Sequence, residues 1–372
     1  HGPQAHKLQV VVLAGPALIF LRRLVRFRDM GVCSSCAADR TGQLEVPGPT
    51  APLRNNRAFV FVKPHAQTKA VRCLVRFRLA EGRIHVEAEG EIKGPVIDSK
   101  QLIDQHYYAI ASKATLLKPS ELPVPADKFE EKFGLNWNEA VVAKKAVNAM
   151  DACKAFGLTP EELEGRWRES EKAGDVVKFG GGFYCGKITV ATQSLYVFNA
   201  FFMAMRSKFT APEASIYYYA VSWDAKALTW SDFRGKVLGP TDPVAAPSGA
   251  IRRMIYDNWQ ELGLKGQPNK SDNGVHASAS PFEGLAERMN WLGVPARSDV
   301  FGQEVLDRGL SENRIKLWCK DAQVFVEEGK KGSVFDALED LDTEPCLNKL
   351  AELSALNQPD EALSGCQCSK GA

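Results

Sequence analysis

Apolar residues recur along this chain with two different periods, and each change of period marks an element. Alternating apolar positions over 58–63 and a β-branched, alternating run over 83–91 predict strands, with helical spacing over 69–80 between them. Residues 96–115 read as one helix whose Ile97, Leu102, Ile103, Tyr107 and Ile110 gather on one face. An aromatic and β-branched run over 216–223 predicts a third strand, and 274–276 a very short fourth. This order predicts an α+β chain on the ferredoxin-like plan: a four-stranded antiparallel sheet with its helices on one face.

The rest of the pattern falls outside that plan. Residues 116–199 open on Pro119, Pro123 and Pro125, then show helical spacing over 137–156 and a capping box from Thr159 to Glu162. Glycine-rich 177–187 lacks the hydroxyl residue that a phosphate loop needs, since Ile188 follows Lys187, and it reads as a turn or hairpin. After Gly293 the chain is charged and helical, with Ser333 capping towards Asp336, and it ends in a polar stretch bearing Cys366 and Cys368. The implied organisation is a discontinuous domain over 55–115 and 200–300, a mainly helical insertion over 116–199, and a helical C-terminal extension over 301–372.

Composition narrows the classes. Among 372 residues, 45% are hydrophobic and 25% charged, enough to bury a sizeable core. A net charge of +2 argues against a dedicated nucleic-acid surface. No run reaches the roughly 18 apolar residues of a membrane span. Nine cysteines, an odd number without repeated metal-ligand spacing, describe neither a disulfide framework nor a metal site, so reduced thiols are expected.

The first methionine is Met30, followed by Gly31, Cys33, Ser35 and Cys36. Translation from Met30 would give an N-myristoylation pattern on Gly31, with Cys33 and Cys36 as palmitoyl acceptors; two such signals anchor a protein to a membrane surface where one binds only marginally. Residues 1–29 would then be an untranslated leader and 30–54 a lipidated, flexible tether placing the protein in the cytoplasm at the membrane periphery. The rival reading keeps 1–29, whose apolar run over 8–21 is followed by Arg22, Arg23, Arg26 and Arg28, as a signal-anchor-like segment.

The chemistry concentrates in Asn273-Gly-Val-His276-Ala-Ser-Ala-Ser280-Pro-Phe-Glu283. Ser280, Pro281 and Glu283 form a capping box with proline at the first helical position, so His276 ends a short strand just before a helix. An imidazole fixed there can act as a nucleophile towards phosphorus, and equally can be a buried histidine packed beneath the helix.

This stretch resembles the Asn-x-x-His-Gly-Ser-Asp-Ser signature of the nucleoside diphosphate kinase family. Other landmarks follow in family order: Phe59-Val-Phe-Val-Lys63-Pro64, Gln105-His106-Tyr107, Tyr219-Ala-Val-Ser-Trp223, Gly235-Lys-Val-Leu-Gly239-Pro-Thr241, and Ser248-Gly-Ala-Ile-Arg252. The resemblance covers roughly 57–115 and 200–292. It implies a kinase that passes the γ-phosphate of a nucleoside triphosphate to a nucleoside diphosphate through a phosphohistidine at His276, with magnesium carried by the nucleotide. Glu287 would orient the imidazole and Ser278 would support it. Lys63, Tyr107, Lys113, Lys236, Thr241, Arg252 and Asn273 would hold the nucleotide and its phosphates, with Phe201 or Phe202 stacking on the base. Family members are commonly hexamers, so a homo-oligomer is among the expectations.

Departures from the pattern are Lys113 and Lys236 where the family has arginines, Ala277 and Ala279 for its glycine and aspartate, and His65-Ala66 after Lys63-Pro64. They keep open a catalytically weak nucleotide-binding or scaffold protein at a membrane or cytoskeletal site, and a histidine phosphotransferase with another acceptor.

Overall fold

The computed structural model describes residues 55–357. Gly31, Cys33, Cys36, Cys366, Cys368 and the segments 1–29 and 30–54 lie outside the described residues. The chain runs through β1 (Asn55–Val62), α1 (Lys69–Glu81), β2 (His85–Lys93) and α2 (Leu102–His106). It continues through β3 (Ala146–Asn148), α3 (Pro160–Lys172), β4 (Val176–Gly180), β5 (Phe183–Val190) and β6 (Gln193–Phe198). Next come α4 (Phe202–Thr210), β7 (Ser215–Asp224), α5 (Ile251–Asp257), β8 (Val275–Ala277) and α6 (Pro281–Leu292). The last are α7 (Val300–Asp307), β9 (Gln323–Glu327), β10 (Lys330–Ser333) and α8 (Thr343–Leu356).

The first sheet is antiparallel with order β2-β7-β1-β8. Its helices cover both faces, where one was expected. Ala58, Val60 and Val62 of β1 pack with Val71, Leu74 and Val75 of α1 and Ile251 of α5. Phe59 and Phe61, pointing the other way, pack with Ile97, Leu102, Ile103, Phe209 and Trp291. The reason lies in the strand itself: Asn56–Val62 is buried throughout, and a central strand apolar on both sides must be covered on both.

The helix expected over 96–115 is broken. Gln101 adopts a left-handed conformation (φ 52°) between Gly94–Ser99 and α2, a change of direction that still brings Ile97, Leu102 and Ile103 to the same two phenylalanines. Beyond α2 the chain makes a short helix, Tyr108–Ala111, and a π turn, Ser112–Leu116.

The insertion keeps its helices but also builds a sheet of its own, β3-β6-β5-β4. The helix expected over 137–156 is split into Trp137–Val142 and Ala149–Phe156 because β3 lends its backbone to a parallel pairing with β6. Residues 177–187 are the β4–β5 hairpin. Thr159 and Glu162 form the expected capping box. The C-terminal extension likewise interrupts its helices with the β9–β10 hairpin. Its core includes Phe282 and Leu285 of α6, so that one helix faces two cores. No disulfide forms among the described residues, and no helix among them is long and apolar enough to cross a membrane.

Candidate active site

Strand register sets the site. β8 pairs with β1 so that His276 stands opposite Phe61, and their rings stack at 4.7 Å. Val275 and Ala277 point into the core beneath α1, which turns His276 to the face carrying α2 and α6. Gly274 opens β8 with φ +88°, and a Cβ there would lie 3.0 Å from Ile255 Cδ1, so both backbone and space favour glycine. Its carbonyl accepts from Lys63 N at 2.8 Å and its N–H donates to His65 Nε2 at 3.0 Å. The end of β1 and the start of β8 are thereby locked together.

α6 brings the carboxylate. Ser280 caps it by accepting from Glu283 N, but the expected box is not closed reciprocally by the Glu283 carboxylate. Glu287 Oε1 meets His276 Nε2 at 2.5 Å, and Ser278 Oγ reaches Glu287 Oε2 at 2.5 Å. Ser278 is also 2.8 Å from Phe59 N, from which it accepts. This chain of contacts favours the tautomer with the proton on Nε2 and the lone pair on Nδ1. No hydrogen bond to Nδ1 of His276 occurs among the described residues.

Burial, followed by the charges of Lys63, Arg252 and Arg234, holds the His276 pKa well below the usual imidazole value, so the ring is neutral. Burial, then repulsion from Arg252, pulls Lys63 down to about 8. Burial and Arg234 lower Arg252 to about 10. Burial, with Glu287 and Glu283 nearby, pushes Tyr107 up to about 12, keeping its hydroxyl protonated. Burial raises both Glu283, with the Glu287 charge adding to the rise, and Glu287, which His106, Ser278 and Arg288 pull back down.

Other candidates divide. The Arg252 guanidinium is anchored on carbonyl oxygens, Nε and Nη2 on Val275 at 3.1 and 3.0 Å and Nη1 on Gly239 at 2.8 Å. Asn273 is buried and donates to the Thr241 carbonyl at 3.0 Å, while its Oδ1 has no partner among the described residues. Thr241 itself is exposed. Lys236 is 73% exposed and pairs with Asp232 at 2.8 Å. Lys113 bonds the Ala109 carbonyl and lies 5.7 Å from the centre of the Phe183 ring, in the insertion. Phe202 is buried in the core shared with the insertion, and Phe201 packs on Trp167 and Tyr184.

Two contributors were not singled out from sequence. His106 sits 3.4 Å from Glu287 Oε1 through Nδ1, with its ring 4.6 Å from that of His276. Its place in the His106-Tyr107 pair was the available signal. Arg234 lies close enough to act on His276 and Arg252, yet is held by Glu339 and Asp340 of the extension at 2.7 Å each. Nothing local in the sequence marks that pairing. A cavity of about 560 Å³ opens beside the ring, bounded by 105–110, α6 and the extension.

No protein-family model and no curated protein matches the chain. Among solved structures it is similar to a nucleoside diphosphate kinase from Encephalitozoon cuniculi, at 15% identity over 64% of this chain and 89% of that one, with TM-score 0.31. It is also similar to an NDP kinase from Pyrobaculum aerophilum, at 16% identity over 64% and 95% of the two chains, with TM-score 0.30. Likeness at such scores carries no weight for activity, which must be argued from the site.

Proposed function

We propose that this chain is a nucleoside diphosphate kinase-like phosphotransferase on a ferredoxin-like core, moving a γ-phosphoryl group from a nucleoside triphosphate to a diphosphate through His276. The observation that carries this reading is the ordered set Ser278–Glu287–His276, which ties up Nε2 and leaves the Nδ1 lone pair free. Nδ1 attacks the γ-phosphorus, the P–O bond to the nucleoside diphosphate breaks, and that diphosphate leaves with the electron pair. The reverse attack by an acceptor diphosphate restores the imidazole. Lys63 and Arg252, whose charges already act on the ring, supply the neutralisation that a phosphoryl group requires. The unpartnered Asn273 Oδ1 suits a sugar hydroxyl.

Magnesium would arrive with the nucleotide, held by phosphate oxygens and water. Asp272, the carboxylate acting on Lys63, is already engaged by Lys208 at 2.8 Å and His65 at 3.8 Å, which fits an ion without a protein cage. A second reading, a nucleotide-binding protein with weak turnover, is favoured by the placement of Lys113 and Lys236 away from the ring's contacts. Incubation with γ-labelled ATP and magnesium decides between them. Acid-labile label on the wild type, absent from His276→Asn and chased onto added GDP, supports the kinase; label that never reaches GDP removes diphosphate turnover, and no label removes phosphotransfer.

A further inference from the structure

His106, His276 and Glu287 each offer a ligand atom, and the three lie within 4.8 Å of one another. Two imidazoles and one carboxylate converging in this way, all on the wall of one cavity, form a donor set for a divalent transition ion. We propose that this trio is a zinc site that competes with phosphorylation of His276. The binding itself stands without the kinase reading; only the competition rests on it.

Two of the three ligand-atom pairs can be set against tetrahedral geometry, and the third, between the two imidazoles, lies within 4.8 Å and closes as the ion draws the rings together. Zn–N and Zn–O bonds of about 2.0–2.2 Å place tetrahedral ligand atoms about 3.3–3.5 Å apart. His106 Nδ1 and Glu287 Oε1 already stand 3.4 Å apart. His276 Nε2 and Glu287 Oε1, now hydrogen-bonded at 2.5 Å, would have to separate by roughly 0.8–1 Å as the ion replaces the shared proton. The other claim on His106 Nδ1 is the Trp291 indole N–H, a long contact at 3.4 Å. All three side chains are held on regular elements or at their ends, on α2, β8 and α6. Their side chains are 5%, 16% and 4% exposed, which distinguishes them from the solvated acidic clusters common on surfaces.

The cavity supplies what the trio lacks. It gives an ion a route in and leaves room for water in the remaining coordination position, as open zinc sites require. Its wall carries the carboxylates of Glu283 and Asp321 beside the trio, against the ammonium groups of Lys316 and Lys320.

Competition follows from the ring's two nitrogens. With Nε2–H donated to Glu287, the lone pair lies on Nδ1 and can attack phosphorus. A metal on Nε2 uses that lone pair and puts the ring's proton on Nδ1, so no lone pair remains for the γ-phosphate. One proton leaves Nε2 for solvent and one enters at Nδ1; no redox change is involved. Zinc and phosphoryl group therefore call for opposite tautomers of the same side chain.

The test uses the full chain. Calorimetric titration with Zn2+ is expected to show one ion bound per trio, and His106→Gln and Glu287→Gln each to lose that ion while other sites persist. Co2+ added to the wild type should give the visible absorption of a tetrahedral nitrogen and oxygen site, a readout that needs no variant to fold. Zn2+ at saturating level should stop acid-labile labelling of the wild type by Mg-ATP, with recovery on chelation. A thiolate charge-transfer band in place of the nitrogen and oxygen spectrum, Zn2+ stoichiometry unchanged in both variants, or no binding at all would overturn the site. Labelling that proceeds with the trio metal-loaded would overturn the competition, whereas metal binding without any labelling under chelation would overturn only the kinase reading.

Discussion

At the scale of single residues, the proposed phosphotransfer depends on which nitrogen of His276 keeps its lone pair. Glu287 decides this by holding Nε2, so Glu287→Gln, which cannot accept Nε2–H with a charge, is expected to slow phosphorylation roughly 10- to 100-fold. Rapid-quench labelling of a variant with unchanged near-ultraviolet circular dichroism measures it. Lys63 gives a pH dependence whose sign is fixed. Its pKa of about 8 means that the cation is present below that pH and is lost above it, so kcat/KM for the triphosphate should fall on the alkaline side of about pH 8. Lys63→Arg should lower the value but flatten that limb. His276, neutral well into the acid range, should add no limb near pH 6.5. The residue identities were legible from sequence because an asparagine, a histidine, a serine and a glutamate keep fixed spacing across one strand and one helix. His106 was not, because its link to Glu287 spans elements far apart in the chain.

At the scale of elements, α6 carries Glu287 to the ring only because it lies almost against β1. A Cβ on Gly284 would come within 2.6 Å of the Arg57 carbonyl oxygen, so Gly284→Ala must push the helix off the strand. That variant is expected to lose about 1–3 kcal/mol of stability, read by urea unfolding, and to lose labelling beyond what unfolding explains, since Glu287 sits one turn further on. The four strands of the first sheet and α1 were legible from their periods, whereas β3, β6, β9 and β10 were not. The break at Gln101 and the split of 137–156 were not, because local apolar spacing continues through both while distant pairing partners dictate the path.

At the scale of the whole molecule, the extension is part of the site's frame. Phe282 and Leu285 of α6 pack with Phe301, Trp318 and Leu350, Thr343 caps back onto Asn55 and Asn56, and Glu339 and Asp340 hold Arg234. Truncation after residue 300 would bare one face of α6, and is expected to give aggregation-prone protein without labelling, measured by light scattering and γ-phosphate transfer. Sequence by itself determined the four strands of the first sheet, the Thr159–Glu162 capping box and the candidate nucleophile, because periodicity and capping act within a few residues. Only the tertiary structure decided that helices cover both sheet faces, that Lys113 and Lys236 face other partners, and that a second imidazole meets Glu287. The covered faces and the meeting of His106 with Glu287 depend on packing between segments far apart in the chain, where burial of a continuous apolar strand outweighs any local pattern, whereas Lys113 and Lys236 are taken up by Ala109 and Asp232 one turn away.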